Sequence, residues 1–183
     1  MDPHPVPGRP SRWRRAVWAA IAAVAVAVVA LAAFGGNEDD GPSEQGGAGG
    51  VMAVELQSFD GQPFTLERYR GRPLVVNFFA SWCGPCAREM PDFARVHRDL
   101  AGDVAFLGVN LQDNPQAALA LVERSGVGYD LGRDDGALFA ALGGVAMPTT
   151  AFITAEGEVV DVHGGELSGR ALEAAVRRLL LAS

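Results

Sequence analysis

The chain contains no lysine: all fifteen basic residues are arginine, a compositional trait to which no function is assigned. Cysteine is almost as scarce, with Cys83 and Cys86 the only two in 183 residues, so no spare thiol competes by mixed pairing. Histidine is limited to His4, His97 and His163 at scattered positions, and with two cysteines these do not supply the four protein ligands of a structural zinc site. A copper-holding chaperone would favour a wider cysteine spacing with a neighbouring histidine, which is missing. Residues 51–183 have 11 basic against 17 acidic side chains, net −6, and no basic cluster, which sets nucleic-acid binding aside. No internal repeat is visible.

The N-terminal third is organised by charge. Residues 1–15 carry Arg9, Arg12, Arg14 and Arg15 against Asp2, and residues 35–50 carry Glu38, Asp39, Asp40 and Glu44. Between them, residues 16–34 hold no charge and approach the roughly 20 apolar residues that cross a bilayer. Arginines before the run and acids after it place residues 1–15 in the cytoplasm and everything from Gly35 onward outside it. The expectation is an uncleaved signal anchor. The alternative is cleavage near Ala30-Leu31-Ala32 and secretion, against which stands a run longer than the usual signal core. Arg14-Arg15 reads as a plain positive flank rather than a twin-arginine signal, and the lack of a cysteine after the run excludes a lipoprotein. Residues 35–50, rich in glycine and acids with almost nothing to bury, read as a flexible tether.

From Val51 onward, strand-like and helical patterns alternate, which predicts an α/β sheet with covering helices. Ala53–Phe59 and Gln62–Leu66 flank Asp60-Gly61 and predict an N-terminal hairpin. Leu74–Ala80 is an almost continuous apolar run, the mark of a central strand buried on both faces. A helix follows from near Cys83 to Leu100, burying Met90, Phe93, Val96 and Leu100 at spacings of three and four. Val104–Asn110 reads as a parallel strand, and Pro115–Ser125 as a helix capped by Asn114. A short extended piece at Tyr129–Leu131 and a helix at Asp135–Leu142 come next. A hairpin of Thr149–Thr154 and Glu158–His163 turns at Glu156-Gly157, and Ser168 caps a last helix to Leu181.

Trp82-Cys83-Gly84-Pro85-Cys86 falls at the junction of the buried strand and the long helix, where two intervening residues let the sulfurs meet. Cys83 precedes the helix, so outward-pointing N–H groups and the positive helix end favour its thiolate and make it the attacking sulfur. Cys86, one turn in on the covered side, is the resolving thiol. Glu89, three residues on, shares that face and either relays a proton or is an ordinary acid of a helix's first turns. Trp82 is expected to pack beside the sulfurs, shield Cys86 and offer a flat surface to substrate, with plain core packing as its rival. Phe78 and Phe79 belong to the core, and His97 and His163 receive no chemistry.

This order of elements resembles the thioredoxin superfamily over residues 51–183. The residues that carry the resemblance are Asn77 to Cys86 running on to Glu89-Met90-Pro91, and Met147-Pro148-Thr149 opening a later strand. The anchor, the N-terminal hairpin and the extra helix between Cys86 and Pro148 are most similar to the extracytoplasmic TlpA/ResA/DsbE branch. The resemblance implies a central mixed β-sheet flanked by helices and a cis peptide bond at Met147-Pro148. It also implies a substrate segment pairing with the backbone of Met147, and a working glutamate at Glu89. Asn77 stands where cytoplasmic thioredoxins have a buried aspartate, which moves weight onto Glu89.

The activity expected is thiol-disulfide exchange with exported cysteine-containing proteins, apocytochrome c among them, fed by a membrane thiol carrier because this chain has no second redox pair. The Cys83/Cys86 pair is the redox carrier itself, with no flavin, nicotinamide or metal required, and nothing points to an obligate dimer. Reduction is the favoured direction because Gly84-Pro85 is shared with reducing thioredoxins, and disulfide formation is the alternative. A peroxidase of the peroxiredoxin type, which wants a lone peroxidatic cysteine, and an apoprotein chaperone are the further rivals.

Overall fold

The computed structural model describes residues 48–182. The segment 1–15, the apolar run 16–34 and the tether up to residue 47 lie outside the described residues. Among the described residues no helix is long and apolar enough to cross a membrane.

The elements are α1 (Ala48–Met52), β1 (Glu55–Gln57), β2 (Pro63–Thr65), a 3₁₀ turn (Leu66–Tyr69), β3 (Leu74–Phe79) and α2 (Gly84–Leu100). They continue with β4 (Ala105–Leu111), α3 (Pro115–Ser125), β5 (Asp130–Asp134), α4 (Ala137–Ala141), β6 (Thr149–Ile153), β7 (Val159–Gly164) and α5 (Gly169–Leu179). One seven-stranded mixed sheet results, in the order β2-β1-β5-β4-β3-β6-β7. β3 runs parallel to β4, and β4 to β5, across helical connections, whereas the two hairpins add antiparallel edges. The thioredoxin-like sheet expected from the sequence is therefore present.

β3 is an interior strand, between β4 and β6, and is buried along its whole length. Its side chains alternate between faces, as a strand requires. Leu74, Val76 and Phe78 join the layer holding Val51, Met52, Leu66 and Leu138, under α1, the 3₁₀ turn and α4. Val75 and Phe79 face α2 and its neighbours, with Phe93, Val96, Leu172 and Val176 on one side and Met90, Leu121 and Val122 on the other. Both sheet faces are thus covered, and the C-terminal end of β3 delivers the chain directly to the N-terminus of α2.

Several boundaries differ from the sequence reading, each for a local reason. The tether expected over 35–50 gives way at Ala48, because Val51 and Met52 bury themselves and the chain enters them as a helix. β1 is shorter than Ala53–Phe59, since Ser58 turns back, its backbone N–H donating 2.9 Å to the Gln62 carbonyl. β5 runs past Leu131 to Asp134, held by pairing of Asn110 with Arg133 and Leu111 with Asp134. α4 begins at Ala137 rather than Asp135 because the Asp134 carboxylate accepts the N–H groups of Leu138 (3.1 Å) and Phe139 (2.9 Å). His97 packs edge-to-face on Phe106 and Tyr129, with ring centroids 5.4 Å apart in each case, a structural role.

Candidate active site

Four residues, Ala80 to Cys83, make the turn from β3 to α2, closed by the Cys83 N–H donating 3.1 Å to the Ala80 carbonyl. Cys83 is the N-cap of α2, and its sulfur accepts the Cys86 N–H at 3.2 Å. Pro85 falls in the first helical turn, where its missing N–H leaves no bond unmade. Cys83 and Cys86 are joined as a disulfide with Cα atoms 5.3 Å apart. The two sulfurs are not equivalent in access. Cys83 is 5% exposed and borders an open groove of about 470 Å³ lined by Trp82, Leu111, Phe139, Val145 and Met147, whereas Cys86 is wholly enclosed and lines no part of it.

The groove brings together Cys83, Trp82 and Met147, three of the residues singled out from the sequence. Met147-Pro148 has a cis peptide bond, Met147 is half-buried and Pro148 buried. Trp82 corrects one expectation. Its side chain is 63% exposed and does not shield Cys86. The reason is the direction of the turn, which sends Cys86 inward with the buried face of α2 and leaves Trp82 on the outer rim. Phe79, Ala80, Met90, Ala118 and Leu121 belong to the apolar cluster that encloses the cysteines instead.

Glu89 is 2% exposed, an unusual place for a carboxylate. Burial is the main cause that raises its pKa from 4.5 to about 7, opposed by two hydrogen bonds to its oxygens and supported by the nearby Glu166 charge. The Leu167 N–H donates to Oε2 at 2.9 Å and Asn77 Nδ2 to Oε1 at 2.8 Å. Asn77 lies on β3 between Val75 and Phe79, on the α2 face, and its own Oδ1 is buried without a partner among the described residues. Turned end for end, the same amide would accept a proton donated by a neutral Glu89. Asn77 can therefore satisfy Glu89 in either protonation state, which an aspartate at that position cannot do without burying a second charge.

Sequence reading missed a second carboxylate. Asp113, just after β4, accepts four hydrogen bonds: Ser81 N–H (2.6 Å), Ser81 Oγ–H (2.7 Å), Asn110 Nδ2–H (3.0 Å) and Asn114 N–H (2.8 Å). Partial burial alone would raise its pKa, but these bonds outweigh it and hold the carboxyl below the usual range. It fixes Ser81, two residues before Cys83. Only the local signal of an acid beside a helix cap was visible in the sequence, with nothing to connect positions 81 and 113. A larger polar cleft of about 610 Å³, lined by Glu55, Asn110, Asp113, Arg133 and Asp134, lies elsewhere and does not reach the cysteines. Among the described residues no cluster of His, Cys, Asp and Glu surrounds a common point as metal ligands would.

A disulfide at a helix N-terminus, with one of its cysteines bordering a groove and a buried acid behind the other, on this mixed sheet, defines a thioredoxin-fold thiol-disulfide oxidoreductase. The chain belongs to the Redoxin family, which matches residues 48–179. It is 29% identical over 128 residues to the thiol-disulfide oxidoreductase ResA of Halalkalibacterium halodurans, covering 68% of this chain and 73% of the relative. It is 33% identical over 120 residues to the thiol:disulfide interchange protein HelX of Rhodobacter capsulatus, covering 63% of this chain and 66% of the relative. Among solved structures, DsbF of MTB superposes with a TM-score of 0.66 at 30% identity, over 71% of this chain and 97% of that one.

Two outcomes follow for stability. Glu89 binds its proton more tightly folded than unfolded, so its contribution is complete below about pH 4.5 and is lost as pH rises through about 7. Urea unfolding from about pH 4 to about pH 8 should therefore show the wild type losing roughly 3 kcal/mol that Glu89→Gln does not lose; parallel pH curves would contradict this. Asp113 has the opposite sign. Its stabilisation is present above the ordinary carboxylate pKa and disappears as pH falls through the lowered folded value. Asp113→Asn should cost about 1–3 kcal/mol near neutrality, with the gap closing in acid, in the same unfolding experiment.

Proposed function

We propose that this oxidoreductase is a membrane-tethered, extracytoplasmic disulfide reductase that acts on exported cysteine-containing proteins, including apocytochrome c before haem attachment. The observation that carries the reading is the asymmetry of the pair: Cys83 borders the groove, and Cys86 is buried one helical turn from Glu89. A reduced Cys83 thiolate attacks a substrate disulfide, the substrate S–S bond breaks with one sulfur leaving as thiolate to be protonated by water, and a mixed disulfide forms. Cys86 then attacks Cys83, its proton passing to ionised Glu89, and the second substrate thiol is released as the internal disulfide closes. Two electrons have moved from the pair to the substrate.

The groove supports the substrate class. Trp82, Leu111, Phe139, Val145 and Met147 offer apolar walls without a charge, and the half-buried Met147 backbone can pair with an extended peptide as a sheet edge does. Strong oxidants of this fold owe their potential to a stabilised reduced form. A buried acid near Cys86 works the other way, since its negative form disfavours a thiolate beside it and so favours the disulfide of the carrier. That preference, with the Gly84-Pro85 pair, supports electron donation to substrate. The arginine-flanked apolar run of residues 16–34 supports the tether, and with no second pair in the chain a membrane thiol carrier would return the electrons. The domain acts as a monomer and uses no cofactor beyond its own two sulfurs.

Equilibration of the Cys83/Cys86 pair in glutathione redox buffers tests the direction. The proposal expects a potential near that of thioredoxin, about −270 mV; a value near that of the strong periplasmic oxidant, about −120 mV, would make the protein a disulfide donor instead.

A further inference from the structure

From the end of β7 into the first residue of α5 the chain passes Gly165-Glu166-Leu167-Ser168-Gly169, and this short stretch bonds to Pro148, to Glu89 and to Asp92. The Gly165 N–H donates 2.9 Å to the Pro148 carbonyl. The Leu167 N–H holds Glu89 Oε2 at 2.9 Å, and the Gly169 N–H holds Asp92 Oδ2 at 2.6 Å. Gly165 has φ +108, a conformation side chains avoid, and a Cβ at Gly169 would crowd the ends of the Arg95 and Asp92 side chains, which would have to move aside.

The middle of the stretch is fastened by an ion pair that its neighbours do not explain. Arg88, one residue before Glu89 on α2, points its guanidinium at Glu166, with Nη2 at 2.5 Å from Oε2 and Nε at 3.1 Å from Oε2 and 3.3 Å from Oε1. The positions are 78 residues apart in sequence. The same guanidinium is 3.7 Å from where a Cβ on Gly84, the first residue of α2 between the two cysteines, would lie. Glu166 is itself the residue before Leu167. The ion pair and the Leu167–Glu89 bond are thus adjacent rungs between the same two strips of chain.

We propose that residues 165–169 are a positioning strap for the acid of this active site, latched by Glu166 to Arg88, so that opening the latch loosens the Leu167 N–H from Glu89. The inference rests on the reading of Glu89 as the proton acceptor of the resolving step. The groups nearest Glu89 are Asn77 and its unpartnered oxygen from β3 and Cys86 one turn earlier on its own helix, while the charged helix neighbours Arg88 and Asp92 are engaged with Glu166 and with Gly169. Glu166 faces it from the strap, and the Tyr129 phenol, which Glu89 makes harder to ionise, faces it from beside β5. Arg88→Met changes two of these influences in the same sense. It frees Leu167 from a bond that favours the ionised carboxyl, and it leaves the Glu166 charge without its counter-ion; both raise the affinity of Glu89 for its proton. Glu166→Gln instead sets the lost bond against the lost repulsion, so Leu167 exchange, not titration, reads the latch in that variant.

The test uses the disulfide form of the full chain, in which the cysteines do not titrate. Carboxyl ¹³C NMR should place the Glu89 midpoint higher in Arg88→Met than in wild type by roughly 0.3–0.5 pH unit, the size set by a solvent-exposed pair. Amide exchange of Leu167 should quicken in both Arg88→Met and Glu166→Gln. The exchanged pair Arg88→Glu with Glu166→Arg should restore Leu167 protection. An unmoved Glu89 midpoint together with unchanged Leu167 protection in folded Arg88→Met would overturn the latch. Should Arg88→Met not fold, unchanged Leu167 exchange in Glu166→Gln would overturn it equally. A separate measurement, the pH profile of disulfide turnover in Glu89→Gln, decides the reading of Glu89 itself, so failure of one is not mistaken for failure of the other.

Discussion

The junction between β3 and α2 is the constraint on which the rest depends. A strand covered on both faces cannot shift its register without carrying Val75, Phe78 and Phe79 out of their layers, so the point at which it ends is fixed in space. The amphipathic helix that follows must turn Met90, Phe93 and Val96 onto the same sheet, and this fixes its rotation. Cys83 at the N-cap and Cys86 on the inner face take their positions from those two requirements alone. One sulfur is thereby set at the edge of a groove and the other behind it, without further machinery.

The same rotation places Glu89 inward, and here the fold accepts a cost. A carboxyl in this position is destabilising when charged, and the protein offsets this with donors rather than with a counter-ion. The donors come from two sides: a side-chain amide from β3 and a backbone N–H from the segment before α5. An arginine in direct contact would have held Glu89 ionised; amide donors leave its proton affinity close to neutrality, where it can both take and return a proton. Arg88 lies next to it in sequence but is engaged outward, with Glu166.

Much of this was legible from the sequence because its signals are local. The apolar run of β3, the spacing of Met90, Phe93 and Val96, and the placing of two lone cysteines at a strand-to-helix boundary each require only a few adjacent residues. Glu89 was visible as an i+3 neighbour of Cys86 for the same reason. What stayed hidden is remote or directional. Trp82 reads from the sequence as packed, beside the sulfurs or in the core, and only the sense of the turn shows it exposed. Ser81 with Asp113, and Arg88 with Glu166, are joined only by the sheet and helix packing that brings their elements together. The extension of β5 through Arg133 and Asp134 was masked because two charges do not read as strand, though the register with β4 requires them.

The central claim is that Cys83 alone meets substrate while Cys86 resolves. It is tested most directly by reacting Cys86→Ser with a disulfide-bearing peptide and mapping the covalent product by mass spectrometry. The account predicts a stable mixed disulfide at Cys83, and no adduct in Cys83→Ser with Cys86 intact. An adduct at Cys86 of the folded Cys83→Ser variant, forming as fast as the one at Cys83, would contradict it.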